Sequence, residues 1–348
     1  MLRNREIAEL LSVEAKDHTE QRRRTLQRAA RAALWRWTEE AADLYAQGRS
    51  LTELSLVGPW LASIIGRWLE EPPPVAAPST LREGFLTLAD ARETLASHPD
   101  WLRAYRGDLQ MHTTWSDGAA SLEVMVSTAM ERGYEYVAVT DHSVGLPIAH
   151  GMSEDKLREQ WRAIDDLAVS LPQGFSVLRG LEMNLSPEGT GDMSVEVLRG
   201  IDVVLGAFHS RLRVTEDQTE RYLRALANPN VNVLAHPRGR RYDVRYGLHA
   251  DWERVAGAAA ERDVALEIDS WPDRQDLDVA SLRFVAEAGC RVAIDTDAHK
   301  PHELAFVEFG LAAAIRAGIR PDRVVNFLPR DELLAWSRAS RATASRAG

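Results

Sequence analysis

The sequence predicts an α/β protein whose larger part is a barrel of seven strands, preceded by a small all-α domain. Two observations favour this fold. From Gly107 onward, short apolar runs alternate with amphipathic helical stretches, and this alternation is typical of parallel strands joined by helical crossovers. Before Gly107 the apolar residues recur at helical spacing, and no convincing strand interrupts them. An open, doubly wound sheet is the alternative arrangement for the alternating part.

Residues 1–71 are predicted to form the helical domain. Apolar residues recur at helical spacing, as in the run from Leu26 to Trp37. The pair Gly58-Pro59 marks a tight turn before a last amphipathic helix. Residues 72–105 are predicted to be a linker, which is stiffened by prolines at its start and ends in a short connector helix.

Residues 106–336 are predicted to contain the barrel. The seven apolar runs that we assign to strands lie at residues 108–113, 136–142, 176–185, 203–209, 231–237, 265–270 and 291–299. The amphipathic segments that we assign to helices lie near residues 121–133, 154–170, 216–227, 251–263, 278–289 and 302–317. Residues 337–348 are rich in Ser, Ala and Arg, and we expect them to form a flexible tail.

The composition excludes several classes of protein. The 348 residues are 45% hydrophobic and 27% charged, which are ordinary globular values, so wholesale disorder and fibrous architectures are excluded. No apolar run approaches the roughly 18 to 20 residues of a membrane span, and the residues after Met1 do not resemble a secretory signal. The single Cys290 excludes a disulfide framework and a cysteine zinc cluster. We therefore expect a cytoplasmic protein without a membrane partner.

Several histidines lie at or just past the carboxyl ends of the predicted strands. Five of the ten do so, namely His112, His142, His209, His236 and His299. In parallel α/β barrels the carboxyl ends of all strands face one rim, so residues far apart in sequence converge there. Glu182 closes another predicted strand, and Asp117 and Asp297 lie near His112 and His299 in sequence. Because packing so many unpaired polar groups together is costly, this pattern indicates a metal site.

The ligand types narrow the choice of metal. Imidazole and carboxylate without thiolate suit Zn²⁺, Mn²⁺ or Fe²⁺, and the set exceeds what one ion needs, so we expect two or three divalent ions. Such a cluster activates water and clamps a phosphoryl group, and bound ions also reconcile a net charge of −10 with an anionic substrate. Arg211 and Arg238, each two residues after a rim histidine, are predicted to pair with the phosphate. Surface salt bridges are the alternative role for both.

At these residues the sequence resembles the PHP family (polymerase and histidinol phosphatase domains), over about residues 107–335. The motifs that carry the resemblance are Gly107-Asp-Leu-Gln-Met-His112, Trp115-Ser-Asp117-Gly, Thr140-Asp-His142-Ser, Glu182, His209-Ser, His236-Pro and Asp295-Thr-Asp297-Ala-His299. The resemblance implies a distorted (β/α)7 barrel that holds up to three metal ions and hydrolyses phosphoesters.

The resemblance also implies which residues hold each ion. Gln110, His112, Glu182 and Asp297 would surround the first; Glu182 would bridge to a second, bound by His209 and His236; and Asp117, His142 and His299 would hold a third. A hydroxide held by the ions at Glu182, His112 and Asp297 would attack phosphorus. Gln110 stands where the family usually has a histidine, and its neutral amide oxygen is a weaker ligand. This substitution would lower the occupancy of that site or favour Mn²⁺ there.

Within the family, the chain is most similar to the PHP domain of bacterial family X DNA polymerases, through residues 234–239 and 267–277. That domain acts as a Mn²⁺-dependent 3′-to-5′ exonuclease and 3′-phosphatase. The helical domain also resembles the first domain of that group, which ends in a helix-hairpin-helix, with the hairpin at residues 54–65. Backbone N–H groups at Val57 and Gly58 would then contact DNA phosphate. Leu56 replaces the first glycine of the usual Gly-x-Gly pattern, and packing is the alternative role of this hairpin.

The sequence therefore predicts a metal-dependent phosphoesterase that acts at DNA 3′ ends, as an exonuclease or 3′-phosphatase in DNA repair. Too few residues separate the helical domain from Gly107 to form a polymerase palm, so we expect no polymerase activity. A phosphatase for a small metabolite, such as histidinol phosphate or a nucleoside bisphosphate, is the first alternative. A non-catalytic, metal-holding adaptor to DNA or protein is the second.

Overall fold

The computed structural model describes residues 1–347, and it describes the side chains of residues 1–341. The chain divides into two compact units, the first of which is Met1–Ser97 and the second of which begins at His98. Within the described residues, no helix combines the length and the apolarity that a bilayer span requires.

The first unit is entirely helical, as predicted. Its α-helices are α1 (Asn4–Glu14), α2 (Glu20–Trp35), α3 (Ala41–Ala46), α4 (Pro59–Glu70) and α5 (Leu88–Ala96). The core forms because each amphipathic helix buries one apolar face. Residues at its centre are fully or almost fully buried, among them Ile7, Leu11, Leu26, Trp37, Leu61 and Ile65.

Helix α5 belongs to this first unit, whereas the sequence predicted a connector helix in a linker over residues 72–105. The helix begins at a capping box, in which Thr87 accepts a hydrogen bond from the backbone N–H of Asp90 at 3.0 Å. The Asp90 carboxylate also pairs with Arg5 at 2.7 Å and with Arg3 at 3.1 Å. These ion pairs to the start of the chain hold α5 against the helical unit, and proline content alone did not indicate them.

The loop of the predicted hairpin, residues 54–58, directly precedes α4, and the rest of the hairpin is the first part of that helix. Leu56 takes a left-handed conformation with φ of 63°, so the loop adopts positive φ without the glycine that normally permits it. The N–H of Val57 donates to the carbonyl of Leu54 at 3.1 Å, so a phosphate contact through this group would require breaking that bond. Gly58 is the N-cap of α4.

The second unit contains a parallel sheet. Its strands are β1 (Gly107–Met111), β2 (Tyr136–Val139), β3 (Ser176–Asn184), β4 (Val203–Ala207), β5 (Val233–Ala235), β6 (Ala265–Asp269) and β7 (Val292–Asp295). They are hydrogen-bonded side by side in chain order. The sheet curls so that β7 returns to β1, where the N–H of His112 donates to the carbonyl of Ala298 at 2.8 Å. The predicted seven-stranded barrel is confirmed, and the open-sheet alternative is wrong.

Helices alternate with the strands and pack against the sheet. They are α6 (Pro99–Ala104), α7 (Leu122–Glu131), α8 (Glu154–Ala168), α9 (Val195–Leu198), α10 (Thr219–Leu226), α11 (Trp252–Arg262), α12 (Val279–Glu287), α13 (Val307–Ala317) and α14 (Arg330–Ala347). The one-turn helix α9 was not predicted, because four residues are too few to show helical periodicity. Leu333 and Trp336 of α14 join the cluster of buried residues that includes Leu205 and Val233 of the strands.

The prediction of a flexible tail from residue 337 is wrong for residues 337–341. Helix α14 continues to Ala347, and Ser337 and Ser340 are fully buried. The side-chain amide of buried Asn232 donates to the carbonyl of Ser337 and to Oγ of Ser340, both at 2.8 Å. A small-residue face therefore packs closely on the barrel, where the composition alone suggested a solvated segment. Gly348 lies outside the described residues.

Candidate metal centre

The rim at the carboxyl ends of the strands gathers the predicted ligands. The observed strands are shorter than predicted, so the five rim histidines lie in the loops just after strands β1, β2, β4, β5 and β7. Glu182 is the exception, because it lies within β3. The parallel topology explains why residues so far apart in sequence meet.

Glu182 is the centre of the cluster and is fully buried. Its Oε1 lies 2.9 Å from Nε2 of His209 and 2.8 Å from Nε2 of His236. Its Oε2 lies 3.3 Å from Nε2 of His112 and 3.3 Å from Nδ1 of His142. One carboxylate therefore contacts four of the five predicted histidines.

Two aspartates complete the cluster. Oδ1 of Asp297 lies 2.9 Å from Nε2 of His112. Oδ1 of Asp117 lies 3.5 Å from Nε2 of His142 and 3.4 Å from Nε2 of His299. The donor atoms form three overlapping groups in which all atoms lie within 4.8 Å of one another: His112, Asp117, His142 and His299; His142, Glu182 and His209; and His112, Glu182 and Asp297.

The contact between His112 and Glu182 has the character of two metal ligands rather than of a hydrogen bond. Nε2 of His112 and Oε2 of Glu182 are buried and 3.3 Å apart, yet neither atom makes a hydrogen bond of acceptable geometry to a described residue. Buried polar atoms without partners are costly. Imidazole nitrogens and carboxylate oxygens that converge in this way fit the ligand preferences of Zn²⁺, Mn²⁺ and Fe²⁺.

Gln110 also presents buried polar atoms that have the character of metal ligands. It lies in β1, is fully buried, and neither its side-chain oxygen nor its nitrogen has a hydrogen-bond partner among the described residues. An amide in this condition costs free energy unless something else satisfies it. The residue therefore fits the ligand role that the sequence predicted for it, which stays a prediction.

The pKa shifts divide the cluster into groups that can bind a cation at neutral pH and a group that is protonated there. Burial lowers the pKa of His142 to about 4. Burial opposes ionisation of Asp117, but His299, His112 and His142 lower its pKa to about 2. Burial also opposes a charge on His112, but Asp297 and Glu182 raise its pKa well above the ordinary value. At neutral pH the carboxylates and His142 are ready to bind a cation, whereas His112 must first lose a proton.

Residues that the sequence analysis did not single out hold these ligands in place. Oδ1 of Asn184 lies 3.1 Å from Nδ1 of His209. The buried carboxylate of Asp141 accepts hydrogen bonds from the N–H of Thr113 at 2.8 Å and from Oγ of Ser116 at 2.5 Å, which fixes the loop that carries Asp117. Bonds of this kind orient ligands. In the sequence, only the position of Asp141 directly before His142 could have indicated such a supporting role.

A cavity of about 240 Å³ opens over the cluster. Its lining includes Asp117, His142, His209, His236, Asp297 and His299, so six predicted ligands face one space. Two arginines, Arg245 and Arg274, also line it. Arg274 pairs with Asp297 and lies 3.5 Å from Asp269. Nε of Arg245 donates to the carbonyl of Gly239.

The two arginines that the sequence predicted for phosphate binding are not among the residues lining the cavity in the described part of the chain. Arg238 is buried, pairs with Asp278 and stacks on Tyr246 at 4.5 Å. Arg211 is exposed to solvent. The chain has positive φ at His236 and at Arg211, so it turns at these points. Spacing from a ligand histidine therefore did not indicate the direction of either side chain.

Comparison with known proteins agrees with this geometry. Residues 108–269 match the family model of the PHP domain. The chain contains a PHP domain. Two predicted ligands, Asp297 and His299, lie beyond the matched range, but the barrel brings Asp297 to within 2.9 Å of His112.

The chain also matches curated relatives, among them one named as a DNA polymerase/exonuclease and one named as a probable phosphatase. The protein is 36% identical over 222 residues to the DNA polymerase/3′-5′ exonuclease PolX of Bacillus subtilis, a match that covers 64% of the chain. The chain spans only 39% of the length of PolX. It is 29% identical over 238 residues to the probable phosphatase YcdX of Escherichia coli, covering 65% of this chain and 91% of YcdX.

Among solved structures, the chain is similar to histidinol phosphate phosphatase (HisK) of Lactococcus lactis, which was crystallised with zinc, L-histidinol and phosphate. The TM-score is 0.43 at 16% identity, and the match covers 69% of this chain and 94% of HisK.

Proposed function

We propose that this PHP-domain protein is a metal-dependent phosphoesterase that hydrolyses phosphoester bonds at the 3′ ends of DNA. The observation that carries the proposal is the convergence of four histidines on Glu182, beneath a cavity that also presents Arg245 and Arg274. Imidazole and carboxylate ligands next to arginines suit a phosphoryl group held between cations.

The ligand set fits two or three divalent ions, Mn²⁺ or Zn²⁺. We assign Gln110, His112, Glu182 and Asp297 to one ion, His209 and His236 with Glu182 to a second, and Asp117, His142 and His299 to a third. The chemistry that such ions supply when bound is polarisation of phosphoryl oxygens and activation of water at neutral pH.

Residues of the chain itself bind the phosphate and stabilise the transition state. Arg274 and Arg245 bind the non-bridging oxygens of the phosphate, because a guanidinium matches two phosphate oxygens at once. Arg274 is held by Asp297, which positions it before substrate arrives. This preorganisation lets both arginines stabilise the charge that grows on phosphorus oxygens in the transition state.

A DNA end suits this cavity better than a small cationic ester. A phosphate ester of an amino alcohol such as histidinol carries an ammonium group, which the arginines Arg245 and Arg274 repel. A DNA strand instead brings further phosphates, which they attract. PolX, a 3′-5′ exonuclease by name, supports this choice, and the setting would be repair in the cytoplasm.

A small-metabolite phosphatase is the second candidate. The observation that favours it is the match to YcdX, which covers 91% of that probable phosphatase. In this alternative the PHP domain would act alone on a small ester, and the helical unit would have no part in catalysis.

The test is to strip the protein with a chelator, reload it with Mn²⁺ or Zn²⁺, and incubate it with a single-stranded oligonucleotide and with p-nitrophenyl phosphate. The oligonucleotide carries its label at the 5′ end, so that trimming from the 3′ end gives a ladder. We expect metal-dependent shortening that is lost in Asp297→Ala. Hydrolysis of the small ester alone would transfer the assignment to the second candidate. Loss of neither activity in Asp297→Ala would overturn the proposed site.

A further inference from the structure

The loop after His142 carries an apolar side chain that the metal centre does not use. The loop runs from Ser143 to Met152, and hydrogen bonds fix it at several points. Oγ of Ser143 donates to Asp192 at 2.7 Å, the N–H of Met152 donates to the carbonyl of His142 at 2.7 Å, and the N–H of Ala149 donates to the carbonyl of Leu146 at 3.1 Å. These hydrogen bonds therefore fix the conformation at the loop tip.

Ile148 lies at that tip and is 88% exposed, although it lines the cavity over the metal centre. Leu146 from the same loop and Leu212 from the loop after β4 line the same cavity. A Cβ atom added at Gly239, which has φ of +60°, would lie 3.0 Å from Leu212, so the glycine lets Leu212 pack closely. The lining of the cavity thus includes three aliphatic side chains, Leu146, Ile148 and Leu212, which we call the apolar wall.

A single exposed isoleucine is ordinary on a protein surface. Ile148 differs because it belongs to a wall of three aliphatic side chains in a cavity that also holds the predicted ligands and two arginines. The apolar wall has no role toward metal ions or phosphate, which polar groups bind. It suits the organic part of the substrate, which must lie next to the phosphate it carries.

We propose that the apolar wall binds the base of the terminal nucleotide and makes the enzyme selective for nucleotide esters over sugar phosphates. The inference rests on the proposed function and names its substrate class. Apolar side chains pack on the flat, weakly hydrated faces of a base, and this contact depends little on which base is present because every base has such a face. The wall therefore selects a nucleoside without reading its sequence.

The test measures binding of two probes to the Mn²⁺-loaded protein by calorimetry. Thymidine 5′-monophosphate and 2-deoxyribose 5-phosphate share the sugar and the phosphate, and only the first has a base. We expect wild-type protein to bind thymidine 5′-monophosphate about tenfold more tightly. Ile148→Ser should weaken binding of this nucleotide by about five- to tenfold and change binding of the sugar phosphate by less than about twofold.

Val144→Ser is the matched control, because Val144 lies on the same loop, is 48% exposed and is not among the residues lining the cavity in the described part of the chain. It should leave the affinity for both probes unchanged. The inference is overturned if wild-type protein does not prefer the nucleotide, or if Ile148→Ser weakens both probes equally.

Hydrolysis of p-nitrophenyl phosphate by the same preparations separates this inference from the proposed function. Turnover by wild-type protein without selective binding would overturn the proposed role of the apolar wall and remain consistent with phosphoesterase activity. Selective binding without turnover of any phosphoester would support the apolar wall and overturn the proposed phosphoesterase activity.

Discussion

Oε1 of Glu182 lies 2.8 Å from Nε2 of His236, although 54 positions separate the two residues in the sequence. The same oxygen lies 2.9 Å from Nε2 of His209. A buried carboxylate that contacts two imidazoles through one atom is arranged to share a cation with them. This relationship makes Glu182 the residue on which the proposed centre depends most.

Glu182→Gln should therefore abolish most metal binding and activity. The amide cannot supply the negative charge that two ions share, and the loss should exceed the roughly 10- to 100-fold cost typical of changing a residue that only supports a ligand. Metal content by mass spectrometry and turnover of p-nitrophenyl phosphate measure the effect. Glu188→Gln, at an exposed position after the same strand, is the control. Equal metal content in the two variants would show that Glu182 is not a ligand.

The arginines that line the cavity can be distinguished from those that the sequence favoured. Arg245→Met should raise the KM for an oligonucleotide by about tenfold, because a charge-assisted hydrogen bond to phosphate contributes about 1.5 kcal/mol. Arg211→Met should leave KM within about twofold, since Arg211 is exposed and does not line the cavity. Steady-state kinetics of both variants measure these KM values. A larger rise in KM for Arg211→Met than for Arg245→Met would restore the assignment of Arg211 to the phosphate.

Gln110→His should raise the affinity of the first ion site for Zn²⁺. The side chain at this position is buried and has no hydrogen-bond partner among the described residues, and imidazole is a stronger zinc ligand than a neutral amide oxygen. We expect the variant to retain more zinc per chain than wild-type protein after dialysis against a weak chelator. Identical retention would indicate that residue 110 does not contact an ion.

A buried charge cluster that contains none of the predicted metal ligands makes a separate prediction about stability. Asp278 pairs with Arg238 and with Arg240, the latter at 2.8 Å, and all three are buried. Asp278→Asn removes the carboxylate that pairs with both guanidinium groups, so we expect a loss of about 3 kcal/mol in the free energy of unfolding at pH 7. Denaturation in urea measures it. Asp251→Asn, at the exposed N-cap of α11, is the control and should lose less than about 1 kcal/mol.

The same carboxylate predicts a pH dependence. Burial opposes its ionisation, but Arg238 and Arg240 hold the pKa of Asp278 below its ordinary value of 3.8. A lowered pKa means that the stabilisation is fully present above about pH 4 and is lost as the pH falls through the lowered pKa. The difference in stability between wild-type protein and Asp278→Asn should therefore shrink in acid. A difference that stays constant from pH 7 to pH 3 would contradict this assignment.

The sequence predicted the barrel and the gathering of the ligands because both follow from periodicity and topology. Seven apolar runs alternating with helices predict parallel strands, and parallel strands place their carboxyl ends together. His112 and Asp297 were therefore placed on one rim before any distance was known.

Other features depend on side-chain direction or on tertiary contacts, which periodicity does not carry. Arg238 was expected at the phosphate, but the turn at His236 directs it to Asp278. Arg274 was missed because its position depends on the irregular loop after β6. The helical character of residues 337–341 depends on packing of Ser337 and Ser340 against the barrel, and a composition of small and polar residues does not reveal a buried face.

The most direct test of the account is the position of bound metal. Crystals grown with Mn²⁺ give anomalous differences that locate the ions without reference to activity. The account predicts at least two peaks in the cavity, one of them close enough to a carboxylate oxygen of Glu182 for direct coordination, a distance that is about 2.0 to 2.2 Å for Zn²⁺. The absence of any peak near Glu182 at saturating Mn²⁺ and, in a second crystal, at saturating Zn²⁺ would contradict the account.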